Sequence, residues 1–272
     1  MDYHQFTFNT SEPELLLAFI QNLPFDSFEV EENRLKAYLP AKDDTEKMRK
    51  ALDLLKERVN FNYRHSVIPY QNWNTLWESN FTPIRVGDFC GIRTDFHPPF
   101  APPVTHEIHI QPKMAFGTGH HATTWMVIDQ MAKLDFKGKK VLDYGCGTGI
   151  LAILAEKMGA NALDAVDIEP PAVENTLEHI ELNNCTRITT YEGTLDQLGK
   201  NHYQIILANI NRNVILKSLP TLYNQLEEGG YLLISGFIQQ DTDLLQNATQ
   251  QQGFTLQEIQ TRENWICIVL RA

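Results

Sequence analysis

The sequence predicts an α/β fold: a mostly parallel sheet covered by helices and finished by an antiparallel C-terminal edge strand, preceded by a small α+β unit of ferredoxin-like order. Three observations predict it. From about residue 112 onward, short apolar runs alternate with stretches whose apolar residues recur every three or four positions. Early in that alternation Gly145, Gly147 and Gly149 separate the run "VLDY" from the stretch "ILAILAEKM", where a strand-to-helix turn belongs. The first 65 residues read by the same periodicities as strand, helix, strand, strand, helix, strand.

Taken in order, "DYHQFTFN" alternates like a strand, and "SEPELLLAFIQNL" follows as a helix with Ser11 and Glu14 spaced as a capping box and Pro13 in its first turn. "FEVEENRLKAYLP" gives two strands about a Glu-Asn turn, "DDTEKMRKALDLLKERV" an amphipathic helix and "FNYRHSVIPY" a strand. On the central hairpin, Glu29, Glu31 and Glu32 fit a basic partner or a solvated edge. Residues 66–111 read as a connecting helix and linker, in which Trp73, Trp77 and Phe81 form one stripe that packs a short helix on the main domain. "HPPFAPP" is a loop or extended linker.

The second domain, 112–272, opens with the helix "HATTWMVIDQMAKL". "KKVLDYG", "ALDAVDI", "RITTYEG", "YQIILANI" and "GYLLISGF" are its strands. "ILAILAEKMG", "PPAVENTLEHIELNN", "RNVILKSLPTLYNQLEEG" and "DTDLLQNATQQQG" are the intervening helices. "FTLQEIQTRENWICIVLRA" closes the chain as two strands with no helix between them, which implies one antiparallel edge.

Composition narrows the function classes. With 43% apolar and 21% charged residues over 272 positions, the chain is an ordinary soluble sequence with room for one large domain and one small one. No run approaches the roughly 20 apolar residues of a membrane span, and "MDYHQFTF" lacks a basic region followed by an apolar core, so a cytoplasmic protein without membrane contact is expected. Cys90, Cys146, Cys185 and Cys267 are scattered without a CxxC pair, which indicates neither a disulfide framework nor a zinc ribbon. A formal charge of −11 speaks against direct nucleic-acid binding and for a basic protein partner.

The glycine turn carries the chemistry. Without Cβ atoms, its backbone N–H groups can approach a ligand at the positive end of the following helix. Asp167 ends the second strand 22 positions after Gly145, where a carboxylate accepts hydrogen bonds from both hydroxyls of a ribose. Together they describe a nucleoside site. The pattern GxGxG, in place of the dinucleotide GxGxxG, weighs for S-adenosylmethionine over NAD.

"VLDYGCGTGILAI", "DIEPPAVENTLEHIELNN" and "LEEGGYLLISG" resemble the successive motifs of Rossmann-like methyltransferases. More narrowly, "MAFGTGHHATT" (114–124), "ILANINRNVIL" (206–216), "ENWICIVL" and "NWNTLWESNFTPIRVG" resemble the methyltransferases of large-subunit ribosomal protein eleven. The resemblance implies transfer of methyl groups from S-adenosylmethionine to lysine side chains and the N-terminal amine of that ribosomal protein. Residues 1–65 precede every nucleoside motif and read as an independent unit joined through a Pro-rich connector, so they are expected to recognise the substrate. The resemblance also implies that Thr124, Gly145, Asp167 and Asn209 surround the cofactor, joined by Gly147 in the turn and by Asp143, placed to receive the cofactor's amino group directly or through water. Thr124 also fits a helix cap, and Asp167 a cap before Pro170. Thr194 fits an adenine-side contact or a plain turn.

No catalytic nucleophile is expected, because a sulfonium already activates the methyl group; the enzyme's task is to hold a neutral amine in line. The competing readings are a small-molecule, glutamine or other protein N-methyltransferase, and a non-catalytic cofactor-binding protein. "ANIN" differs from the Asn-Pro-Pro-Tyr of glutamine methyltransferases. Two positions depart from the family's usual pattern: Ala122 replaces a proline, and Asn211 a leucine beside the acceptor pocket. His97, His106, His109, His120 and His121 raise a metal reading, which is set aside because His106 and His109 fall on opposite faces of a strand and no carboxylate spacing completes a site.

Overall fold

The computed structural model describes residues 2–21, 23–56, 58–68, 81–111 and 119–272, and the chain divides into two compact units, Met1–Leu76 and Trp77–Ala272. The first unit runs β1 (Tyr3–Asn9), α1 (Pro13–Ile20), β2 (Ser27–Glu31), β3 (Arg34–Pro40), α2 (Glu46–Leu55) and β4 (Asn62–Ile68). Its sheet has the order β2-β3-β1-β4 with every pair antiparallel, the ferredoxin-like arrangement. Strand alternation puts Phe6 and Phe8 of β1 with Leu35, Ala37 and Leu39 of β3 on one face, where Leu16 and Ile20 of α1 and Met48 and Leu52 of α2 cover them.

The caps of these helices differ. Thr45 caps α2, its hydroxyl accepting from Met48 N at 3.3 Å. The expected Ser11/Glu14 box does not form. Pro13 occupies the first helical position, which makes Glu12 the N-cap, and Glu12 makes no side-chain cap bond. Thr10 Oγ1 instead accepts from Glu12 N at 3.1 Å. On the outer strand β2, Glu29 and Glu31 hold Lys36 Nζ at 3.2 and 2.6 Å, so much of the hairpin's acidity is met within its own sheet.

The second unit holds structure that the linker reading omitted. β5 (Ile84–Val86), β6 (Cys90–Arg93) and β7 (His106–His109) make a separate three-stranded sheet. Val86, Ile92 and Ile108 join Phe81 in the core beneath the main sheet. Trp73 and Trp77 lie outside the described residues.

The main sheet follows with α3 (Ala122–Met131), β8 (Lys140–Tyr144), α4 (Ile150–Lys157), β9 (Ala162–Asp167), α5 (Pro170–Leu182), β10 (Ile188–Glu192), β11 (Tyr203–Asn209), α6 (Arg212–Gln225), β12 (Leu226–Ile238), α7 (Thr242–Gln252), β13 (Thr255–Arg262) and β14 (Trp265–Arg271). Its order is β10-β9-β8-β11-β12-β14-β13, parallel from β10 to β12. The antiparallel C-terminal strand β14 lies between β12 and β13. Val141, Ile205, Leu207 and Leu233 face a core built with α3 and α4, while Leu142, Ile206, Leu232 and Ile234 face one built with α6 and α7.

The strands are thus buried on both faces, which accounts for their unbroken apolar runs. Residues 226–229, read above as the tail of a helix, belong to β12, because Leu226 already pairs with Tyr203 of β11. No described helix is long and apolar enough to cross a membrane.

Candidate functional site

β8 ends at Tyr144, and the chain turns through three glycines of positive φ, at +75°, +56° and +75° for residues 145, 147 and 149, before α4 begins. Gly145 is required for space as well. A Cβ there would lie 2.1 Å from Ile210 Cγ2. The turn is tied to β9 by Gly147 N, which donates to Asp167 Oδ2 at 2.9 Å, while Asp167 Oδ1 accepts from Glu169 N at 3.1 Å. Both oxygens are therefore oriented, and each keeps capacity to accept from a hydroxyl.

A cavity of about 630 Å³ opens at this carboxyl end of the parallel strands. Gly145, Gly147, Asp167 and Asn209 line it, so four of the six expected cofactor residues meet at one surface. Thr124 and Asp143 do not line it; each is 1% exposed. Thr124, in the first turn of α3, accepts a hydrogen bond from Asn209 Nδ2 at 3.1 Å. The cap of that helix is His121, whose Nδ1 accepts from Thr123 N at 3.3 Å, so capping is not the role of Thr124.

Asp143 and Asn209 share a face of the sheet, because Asp143 pairs with Leu207 and Asn209 follows two residues later. Asp143 Oδ2 accepts from Ala152 N at 3.1 Å, in the first turn of α4. Asp143 Oδ1 and Asn209 Oδ1 are buried without a partner. Burial pushes the Asp143 carboxyl up to about 7, against the pull of the Ala152 N–H and with a further push from the Asp167 charge. Two orphaned acceptors on one face, one of them a carboxyl, suit a ligand that brings hydrogen-bond donors and positive charge.

Other residues that line the cavity escaped the sequence reading. Gly236, in β12, has φ +103°, and a Cβ there would meet Ile210 O at 2.3 Å. An isolated glycine inside the strand "LLISGF" was the available signal. Trp265 reaches the cavity from the start of β14 and stacks edge-on with His121 at 4.5 Å. Asn211, which the sequence did single out as a departure beside the acceptor pocket, lines it too, its Oδ1 accepting from Val214 N at 3.1 Å as the cap of α6.

Thr194 is engaged in a short helical turn, where it accepts from Asp196 N at 3.4 Å, and it does not line the cavity. Of the five histidines named above, His109 belongs to an ion network with Arg93, Glu107 and Asp95, and His120 contacts Thr82. Among the described residues, the histidine and carboxylate atoms close enough to share an ion are those of His4, Asp44 and His65 in the first unit. Arg49 already holds both Asp44 oxygens, at 2.7 and 2.5 Å.

Comparison with known proteins gives a consistent picture. The model of the ribosomal protein L11 methyltransferase (PrmA) family matches residues 18–272. A ribosomal protein L11 methyltransferase of Porphyromonas gingivalis is 39% identical over 262 residues, covering 94% of this chain and 89% of the relative. One from Bacillus subtilis is 32% identical, covering 87% and 79%. The crystal structure of a ribosomal protein L11 methylase from Lactobacillus delbrueckii subsp. bulgaricus superposes with a TM-score of 0.64 at 26% identity, covering 70% of this chain and 98% of that one.

Proposed function

The chain belongs to the ribosomal protein L11 methyltransferase family, and on that premise we propose that its cavity binds S-adenosylmethionine and presents it to amino nitrogens of ribosomal protein L11. It is an S-adenosylmethionine-dependent protein methyltransferase. The observation that carries the site assignment is the pair of orphaned acceptors, Asp143 Oδ1 and Asn209 Oδ1, beside a glycine turn anchored on Asp167. The residues fit the cofactor. Asp167 meets the ribose hydroxyls, Gly145 and Gly147 let the backbone pass beneath, and Asp143, set behind the cavity wall, receives the cationic amino group directly or through water, with Thr124 holding Asn209 in place.

When bound, S-adenosylmethionine supplies a methyl group already activated by its sulfonium. The chain's own task concerns the acceptor. Amines attack only when neutral, and the apolar wall of Ile210, Val214 and Trp265 disfavours an ammonium. Asn209 orients the amine without a charge that would keep it protonated.

Lysine side chains and the N-terminal amine are the acceptors, and residues 1–65 recognise the ribosomal protein, which the enzyme meets in the cytoplasm. A variant Asp167→Ala tests the assignment by calorimetry: with two charge-assisted bonds of roughly 1.5–3 kcal/mol each removed, cofactor binding is expected to disappear while the fold persists. Wild-type affinity in the folded variant would refute the site.

A further inference from the structure

α5 carries a polar stripe on its buried face. Thr176 and His179 are fully buried and Asn183 is 8% exposed, at positions three and four apart where a helix packed on a sheet ordinarily presents apolar side chains. Each is committed to backbone. Thr176 Oγ1 donates to Gly147 O at 2.9 Å, and His179 Nδ1 lies 2.8 Å from Thr148 O. Two successive carbonyls of the glycine turn are thereby held on α5.

The other half of the stripe holds the segment that follows β7. Asn183 Oδ1 accepts from His109 N at 2.9 Å and its Nδ2 donates to His109 O at 2.6 Å. His179 Nε2 lies 3.1 Å from Gln111 N and 3.2 Å from Gln111 O. Gln111 N–H only donates, so Nε2 keeps its lone pair to accept from it, and the ring proton sits on Nδ1 and is donated to Thr148 O. One imidazole thus fastens the cofactor turn at one end and Gln111 at the other.

We propose that His179 is a positioning residue for methyl transfer, its Nδ1–H holding the glycine turn in cofactor-binding register and its Nε2 fixing the backbone at Gln111, ahead of the helix that presents Thr124 to Asn209. This rests on reading the cavity as the S-adenosylmethionine site. The two ring nitrogens hold two different segments, the glycine turn that lines the cavity and the backbone at Gln111, so their loss has two different signatures. Asparagine places an amide donor near the Nδ1 position, and glutamine places an amide near the Nε2 position.

His179→Gln therefore keeps a partner for Gln111 and loses the anchor on Thr148. It should weaken S-adenosylmethionine binding on the order of 10-fold by calorimetry, with kcat at saturating cofactor within about twofold of wild type. His179→Asn does the reverse: cofactor affinity within about twofold, and kcat on ribosomal protein L11 down on the order of 10-fold. Thr176→Val, which removes only the neighbouring anchor, repeats the affinity loss if His179→Gln does not fold. The ring tautomer is a readout independent of ligand, and ¹⁵N chemical shifts should report Nδ1–H. An Nε2–H tautomer, or equal losses of affinity and kcat in both variants that follow their loss of thermal stability, would overturn the proposal. Failure of the wild type itself to bind S-adenosylmethionine would instead sink the cofactor reading and this inference with it.

Discussion

Two aspartates with covered side chains, one in each unit, face opposite electrostatic circumstances. The Asp44 side chain is 2% exposed, and its oxygens are taken up by Arg49 and His4. The hydrogen bonds of Arg49, followed by that of His4, hold its carboxyl down at about 2 against the cost of burial. Asp143 is the more deeply buried of the two, with one backbone N–H on one oxygen and no partner on the other, and burial carries it up to about 7. The first charge is compensated from within the chain. The second has no such partner and burial favours its neutral form; under the proposed function the cofactor's amino group is the partner that would compensate its charge.

The contrast has a sign in pH. The depressed Asp44 contributes stability that is present above about pH 4 and lost as pH falls through about 2. For Asp143 the folded state holds its proton up to about pH 7 whereas the unfolded chain loses it near pH 4, so the stability of the free protein falls as pH rises from about 4 to about 7. A cation beside Asp143 reverses that loss.

The largest effect on stability is expected from Arg49→Ala. It leaves the Asp44 carboxylate with only histidines beside it and, because the guanidinium is half-exposed and screened by solvent, should destabilise the first unit by about 1 kcal/mol in denaturant unfolding, with cofactor affinity in the second unit unchanged. A fall in affinity would break the division between a structural and a ligand-binding carboxylate. Next comes Asn209→Ala, which removes the second orphaned acceptor; kcat should fall on the order of 10²-fold, more than cofactor affinity does. Loss of affinity with kcat intact would make Asn209 a binding residue only. Thr124→Val is the mildest. It frees Asn209 Nδ2 from its 3.1 Å partner and should lower kcat several-fold, on the order of 1 kcal/mol, whereas unchanged kinetics would show that Asn209 is held by something else.

Features that depend on neighbours in the chain were legible before any coordinates. Strand-end register placed Asp167, the family motif placed Asn209, and a turn that needs no Cβ placed Gly145 and Gly147; all four line the cavity. What depends on neighbours across the fold was hidden. β5, β6 and β7 are three or four residues long, too short for a period to show, and are defined by pairing with one another. Gly236 and Trp265 enter the site only because β12 and β14 are paired, and His179 reads along α5 as one more polar residue until the glycine turn is seen on its ring. The expected capping box on α1 failed for a local reason, since Pro13 fixes the start of the helix one residue past Ser11's reach.

The most direct test of the comparison is calorimetric titration of S-adenosylmethionine into the wild type and Asp143→Asn at pH 6, each in buffers of different ionisation enthalpy. If Asp143 is ionised to receive the cofactor's amino group, the wild type should release about one proton per cofactor bound, and its affinity should rise with pH and level off above about 7. Asp143→Asn should bind on the order of 10-fold more weakly, with no proton release and no pH dependence over that range. Equal affinity and equal proton release in the two proteins would contradict the account.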